Sequence, residues 1–296
     1  MIAGPTASGK TDLGIALAQK LNSVIINADS RQIYQEFNIG TAKPTPAQRM
    51  LAPHYLIDWV PPTVAVTVAE YQQAAQALIA DCHRRGVTPL LVGGSGLYIQ
   101  AVVQGLTIPP VAPQPDLRRQ LSTYSQRERY QFLQQVDPAS AAKIHPHDTV
   151  RTLRALEVYY VTGVPLSHLQ GQRPPTYPVL FLYLDSEFLA QRIAQRTQRM
   201  FAQGLVEETA ALRQKYGPDL PLLKTLGYRE VGAYLEGTID LEQAQALLIR
   251  HTRRLAKQQR TWFRAQAGLV RLDADRPDLL PYTWQKVQDF FTAIGA

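Results

Sequence analysis

The residues with the clearest chemical potential lie near the start of the chain, in GPTASGKT, Gly4 to Thr11. Their spacing is G-x-x-x-x-G-K-[ST], the pattern of a loop whose backbone N–H groups surround phosphate oxygens. Gly4 and Gly9 permit the tight turn and the inward aim of the amides. Pro5, Thr6, Ala7 and Ser8 form the arc between them. Lys10 offers a point charge to the distal phosphates. Thr11 opens the following helix, whose N-terminus favours an anion, and its hydroxyl is the usual protein ligand of a phosphate-bound Mg²⁺. The pattern predicts a phosphate chain with Mg²⁺. It leaves open which bond of the ligand breaks.

Two other stretches belong at the same sheet edge. VIINAD, Val24 to Asp29, reads as a buried strand, and Asp29 closes it. Ligands of open α/β sheets bind at the carboxyl ends of strands, so Asp29 is expected to face the phosphate loop. It can equally do no more than cap the next turn. GGSGLY, Gly93 to Tyr98, brings backbone and the Ser95 hydroxyl to that edge. A plain strand-to-helix turn explains those glycines as well. No apolar run ends in Asp-Glu, which counts against an ATPase that sets a base beside an attacking water.

The elements that must position these residues follow from hydrophobic patterning. Val24–Asp29, Tyr55–Val60 and Pro89–Gly94 read as strands. They alternate with helical patterns over Thr11–Leu21 and Val68–Arg85. This predicts an α/β fold: a P-loop NTPase-like parallel sheet core flanked by helices. Only Met1–Ala3 precede the loop, so either the first strand is very short or the chain begins upstream of this methionine; the second is expected. LTIPPVAPQPD, Leu106 to Asp116, holds four prolines and reads as a linker. Leu117–Leu169 is helical in pattern, and QRPPTYP, Gln172 to Pro178, is a second proline-rich hinge. PVLFLYLD, Pro178 to Asp185, then returns as a strand. A helical insertion domain over 107–176 is therefore expected within a discontinuous core of 1–106 and 177–296. The chain is read as ending in helices, a long one over Glu187–Tyr216 and a basic one over Leu241–Arg264.

Composition narrows the class. Hydrophobic content of 45% and charged content of 19% over 296 residues suit a soluble globular protein. No run of about 18 apolar residues suggests a membrane span, and the start does not resemble a signal peptide. A single cysteine, Cys82, fits a cytoplasmic protein and a buried, inert thiol. The net charge of +7 is local. Between Gln243 and Leu272 there is no Asp or Glu, while Arg250, Arg253, Arg254, Lys257, Arg260, Arg264 and Arg271 all fall there. Such a field suits a docking surface for a polyanion. Leu248, Leu255 and Trp262 repeat every seven residues and are expected to form the apolar stripe of that helix. His145 and His147 lack the further ligands of a zinc site. Tyr34 and Tyr98 are expected in the core.

Taken in order, several stretches resemble one family, the tRNA dimethylallyltransferases, also called tRNA isopentenyltransferases. They are GPTASGKT, INADSRQIY, IGTAKP (Ile39 to Pro44), LLVGGSGLY, IHPHDTVRTLRALEVY (Ile144 to Tyr159), LKTLGYREV (Leu223 to Val231) and RRLAKQQRTWFR (Arg253 to Arg264). The resemblance implies transfer of a dimethylallyl group from dimethylallyl diphosphate to the exocyclic N6 amine of adenine 37 in tRNA, beside the anticodon. Diphosphate leaves, so the bond broken is carbon–oxygen. By the same resemblance the loop residues Gly4 to Thr11 are expected to hold the diphosphate, joined by Arg196, and Asp29 to take the amine proton. Ser95 hydrogen-bonds near that amine, where the family often has Thr. Ser30, Arg31 and Gln32 line the tunnel that receives the flipped base. The insertion grips the anticodon arm with Arg118, Arg151 and Arg154. Val150 stands where many members have Gln. The basic helix adds Arg253, Arg254 and Lys257. Nothing demands more than a monomer. Two other readings remain: a P-loop kinase of a nucleotide or small molecule, and a P-loop RNA-binding protein without catalysis. The first has no need of an acid-free basic helix, and the second none of Asp29 at the phosphate site.

Overall fold

The computed structural model describes residues 1–295. Two compact units emerge: Met1–Val102 together with the chain from Tyr177 onward, and Val103–Thr176. The first half of the larger unit alternates strand and helix. Its elements are β1 (Ile2–Ala3), α1 (Lys10–Lys20), β2 (Ile25–Asn27), α2 (Pro46–Leu51), β3 (His54–Tyr55), α3 (Val68–Arg84), β4 (Leu90–Gly93) and α4 (Gly96–Val103). The smaller unit holds β5 (Leu106–Thr107), α5 (Pro115–Leu121), α6 (Gln126–Val136), α7 (Pro138–Ala141), α8 (Thr149–Thr162), α9 (Leu166–Leu169) and β6 (Gly171–Gln172). The larger unit resumes with β7 (Phe181–Asp185), α10 (Leu189–Ala202), α11 (Leu205–Tyr216), α12 (Tyr228–Leu235), α13 (Leu241–Arg264), β8 (Leu269–Asp273) and α14 (Leu279–Ile294).

The six-stranded sheet has the order β3-β2-β4-β1-β7-β8, and every pairing is parallel. β1 is central although only two residues long. Ile2 pairs with Val92 and Leu182, and Ala3 with Gly93 and Tyr183. The Met1 ammonium donates to Leu180 O at 2.6 Å. Both faces of a parallel sheet must be covered, so its central strands β1 and β4 are apolar and buried along their whole length. Ile2, Leu13, Leu17, Leu182, Leu184 and Leu272 share one buried cluster with Val287 of α14. Cys82 is buried on α3. Among the described residues no helix is long and apolar enough to cross a membrane.

Several expectations are corrected. The strand expected over Tyr55–Val60 is confined to His54–Tyr55, because Leu56 and Asp58 take left-handed φ of 57° and 49°. Asp58 there accepts from Lys43 and Arg49, and those ion pairs hold a loop where the apolar pattern read as a strand. Leu106–Thr107, read as linker, pairs antiparallel with Gly171–Gln172. The long helix over Glu187–Tyr216 is two helices, broken at Gly204 with φ 97°. The chain does not end in helices alone: Leu269–Asp273 adds β8 to the sheet edge beside β7. In α13 the buried face runs through Ala244, Leu248, Ala256 and Phe263, while Leu255 is 37% exposed.

The smaller unit packs Leu133, Ala155, Leu156 and Val158 around a separate core. Glu157 lies within it, fully buried. Arg118 donates to it from Nε and NH2 at 2.7 and 2.9 Å, Arg154 from NH1 at 2.7 Å, and the Gln114 amide at 2.7 Å. Burial alone would raise the Glu157 pKa; the hydrogen bonds from Arg118, Gln114 and Arg154 overcome it and hold the carboxyl down at about 2.

Candidate active site

The loop GPTASGKT leaves β1 at the middle of the sheet. A Cβ on Gly4 would lie 2.1 Å from Leu184 O of the neighbouring strand, so only glycine passes there. Ala7 and Gly9 take left-handed φ of 66° and 94°. Such alternation gathers successive amides into an anion-binding concavity. α1 begins at Lys10 with Gly9 as its cap and no side-chain cap bond, so its first N–H groups are left for a ligand.

Around the loop lies a cavity of about 80 Å³ lined by Thr6, Lys10, Thr11, Asn27, Asp29, Gln32, Gly93, Gly94, Arg196 and Gln259, with Ile25, Ile57 and Val92. A larger cleft of about 770 Å³ shares Lys10, Thr11 and Arg196 with it and adds Arg192 and Arg199. Lys10 Nζ donates to Pro5 O at 2.6 Å. Burial, and then the Arg196 guanidinium, push the Lys10 pKa down to about 7, against the pull of Asp29 and Asp185. Arg196 NH1 donates to Thr6 Oγ1 at 3.0 Å. Burial lowers its pKa too, again opposed by Asp29. Asp29 therefore sits within the field of both cations.

The turn after β2 is built by hydrogen bonds. Buried Asn27 accepts from the Asp29 amide at 3.1 Å and donates to Asp29 O and Leu56 O. Asp29 Oδ1 accepts from the Arg31 amide at 2.8 Å. Asp29 thus does cap its turn, and it also lines the cavity. Ser95 Oγ accepts from the Ser30 amide at 2.9 Å and donates to Ser30 Oγ at 3.2 Å, tying that turn to the end of β4. Gln32 Nε2 donates to Thr41 O and Ala42 O, both 3.1 Å. Arg31 is exposed. The neighbouring wall joins IGTAKP to LGYREV. Glu208 of α11 accepts from the Ile39 and Gly40 amides and from Tyr228 OH at 2.7 Å. Tyr34 and Tyr98 are buried core residues, and Tyr98 stacks on Tyr71.

The remaining expected site residues are scattered. Arg253, Arg254 and Lys257 are exposed on α13, with Arg253 NH2 3.5 Å from Ala190 O. Arg260, counted in the same basic field, is instead held internally by Asp185, with Nε 3.0 Å from each carboxylate oxygen and NH2 2.8 Å from Oδ1. In the smaller unit Val150 and Arg151 are exposed, while Arg118 and Arg154 are committed to Glu157. Asn27, Gln259, the Asp185–Arg260 pair and His54, which also lines the smaller cavity, carry no sequence motif. A buried-phase position on a basic helix, such as Gln259 between Ala256 and Phe263, was the signal for one of them.

A central β1 leading to a phosphate loop, a parallel sheet and a second, helical unit define a P-loop-type α/β protein. Residues 32–266 match the family model described as IPP transferase. A tRNA dimethylallyltransferase of Synechococcus sp. (strain JA-3-3Ab) is 57% identical over 99% of this chain and 87% of its own length. That of Nostoc punctiforme is 57% identical over 98% and 96%. Among solved structures, the tRNA isopentenylpyrophosphate transferase of Bacillus halodurans aligns with a TM-score of 0.73 at 35% identity, covering 99% of this chain and 94% of that one. A eukaryotic dimethylallyltransferase acting on tRNA aligns with a TM-score of 0.84 at 28% identity, over 99% and 79%. The chain belongs to the IPP transferase family.

Proposed function

We propose that this chain transfers a dimethylallyl group from dimethylallyl diphosphate to the N6 amine of adenine 37 in tRNA, giving N6-(dimethylallyl)adenosine and diphosphate. The observation that carries the reading is one cavity in which Asp29 faces Lys10 and Arg196 at the end of the phosphate loop. Cations there stabilise a departing diphosphate, and a carboxylate opposite them receives a proton. The bond from the allylic carbon to the diphosphate oxygen breaks as the adenine nitrogen bonds to that carbon. The amine proton passes to Asp29. An allylic carbon tolerates positive charge, so the barrier falls chiefly through stabilisation of the leaving group. Lys10, Arg196 and the loop amides supply this. Ile25, Ile57 and Val92 give the allyl group an apolar wall.

The donor set fits a metal carried by phosphate. Among the described residues no group of three His, Cys, Asp or Glu could hold a metal unaided. Mg²⁺ is typically bound by phosphates with one or two protein oxygens, and the Thr11 hydroxyl lines the cavity. When bound, Mg²⁺ would neutralise charge on the leaving diphosphate. The tRNA anticodon arm is assigned to the exposed cations of α13 and to the helical unit, where exposed Arg151, paired with Asp148 at 3.4 Å, can reach phosphate, and Arg118 and Arg154 also fix the unit's core.

Lys10 makes the diphosphate site pH-sensitive. Its pKa, held down to about 7 by burial and Arg196, must rise when a polyanion binds beside it. Diphosphate affinity is therefore highest below about pH 7 and declines as pH rises toward the bound-state value. At about pH 8 the protein is expected to take up close to one more proton per diphosphate than Lys10→Arg, which stays charged throughout. Calorimetry in buffers of different ionisation enthalpy measures this; equal uptake would remove Lys10 from the site.

Reversing Arg253 and Arg254 to Glu is expected to weaken tRNA binding at least tenfold and to flatten its salt dependence by roughly two counterions. An unchanged slope would return α13 to an ordinary solvated helix. The activity itself is tested with labelled dimethylallyl diphosphate, Mg²⁺ and tRNA bearing unmodified adenine 37. Label at that adenine is expected. ATP hydrolysis with no label in tRNA would defeat the proposal.

A further inference from the structure

We infer that Gln259 is a positioning residue that fixes the spacing between the phosphate loop and the β4 turn carrying Ser95. Its Oε1 accepts from the Thr6 amide at 2.8 Å, and its Nε2 donates to Gly94 O at 2.9 Å. One side-chain amide therefore bridges the ends of two adjacent strands, β1 and β4, on which the two halves of the site are built. A glutamine is suited to this, because it offers an acceptor and a donor from a single planar group. The surroundings are shaped to admit it. A Cβ on Gly94 would lie 2.6 Å from Gln259 Nε2, and one on Gly96 would lie 2.6 Å from the Trp262 ring. Two glycines of GGSG thus make room for one face of α13.

Thr6 is held from both sides: its amide by Gln259, its hydroxyl by Arg196. The loop's phosphate-facing groups inherit their position from that grip. On the β4 side, Gly94 immediately precedes Ser95, whose hydroxyl holds the turn that begins at Asp29. Gln259 thereby stands between the donor-binding loop and the proton-accepting turn without belonging to either. The inference deepens the transfer reading and rests on it, since only a reaction between two separately held groups depends on their spacing. Misplacement of reacting groups by about 1 Å costs up to a hundredfold in rate, while binding of each substrate alone is spared.

Gln259→Met keeps the volume and removes both hydrogen bonds; Gln259→Ala removes both volume and bonds. In the full-length protein with tRNA and dimethylallyl diphosphate, both variants are expected to lose about thirtyfold in kcat, with each KM within about threefold of wild type. Hydrogen exchange of the peptide spanning Gly4–Thr11 is expected to quicken in both, with unchanged global melting. Wild-type kcat in Gln259→Met would reduce Gln259 to packing and overturn the inference. So would a loss confined to the KM for tRNA, which would make it an RNA contact. If the wild-type protein transfers nothing, the transfer reading fails; the exchange measurement still decides whether Gln259 holds the loop.

Discussion

Asp29→Asn is expected to lower kcat by about a hundredfold or more, with tRNA affinity within about threefold of wild type. The asparagine keeps an Oδ1 that can accept from the Arg31 amide, so the turn that Asp29 caps survives. What is lost, on the proposed mechanism, is the group that receives the proton of the attacking amine. An aryl amine is weakly basic and must shed that proton as its bond to carbon forms. Asp29→Ala removes cap and base together and is expected to lose more activity and some stability, a missing cap costing about 1 kcal/mol. Steady-state kinetics on both variants, with tRNA binding by filter retention, separates the two roles. Full activity in Asp29→Asn would leave the residue as a cap only.

Arg196→Ala is expected to reduce kcat/KM for dimethylallyl diphosphate by about 10²–10³-fold. The guanidinium is half-buried against the loop, where water screens it less than at the surface, and it bonds to Thr6 Oγ1. Its charge counts most when negative charge grows on the departing diphosphate. Arg196→Lys is expected to recover only part of the loss, because an ammonium cannot bond Thr6 and a phosphate oxygen in the same planar geometry. A second effect checks the first. Arg196 is one of the causes that depress Lys10, so its removal raises the lysine pKa and shrinks the proton uptake seen at about pH 8. Normal kinetics in Arg196→Ala would leave Lys10 as the main cation.

The stretches with fixed spacing and an evident local purpose were legible from sequence. GPTASGKT placed the loop, VIINAD and LLVGG placed the adjacent strands β2 and β4, and Arg196 could be brought to the loop only through family resemblance. Residues that act through tertiary contacts were not legible. Gln259 sits 253 positions from Thr6, and nothing local announces that pairing. A seven-residue repeat in α13 finds buried Leu248 and half-buried Trp262 but also takes in Leu255, which is 37% exposed, and passes over Ala256, Gln259 and Phe263. The fate of the charges was equally tertiary. Arg260 looked like its basic neighbours until Asp185, 75 residues away, claimed it. Arg118, an RNA contact by resemblance, is also tied to Glu157 in the helical unit, a pairing 39 residues apart that no local pattern announces. Strand β8 is not legible because LVRLD carries two charges, and only its pairing with β7 makes it a strand.

The central claim is that the loop holds a leaving diphosphate and that the reacting atom is the allylic carbon attached to it. Dimethylallyl diphosphate carrying ¹⁸O at the bridging oxygen tests this directly, in a single turnover with Mg²⁺ and unmodified tRNA. Carbon–oxygen cleavage predicts that all the ¹⁸O leaves in diphosphate while the five-carbon group is found on the adenine amine. Recovery of ¹⁸O in dimethylallyl alcohol, with the tRNA unmodified, would mean phosphorus–oxygen cleavage and would contradict the account.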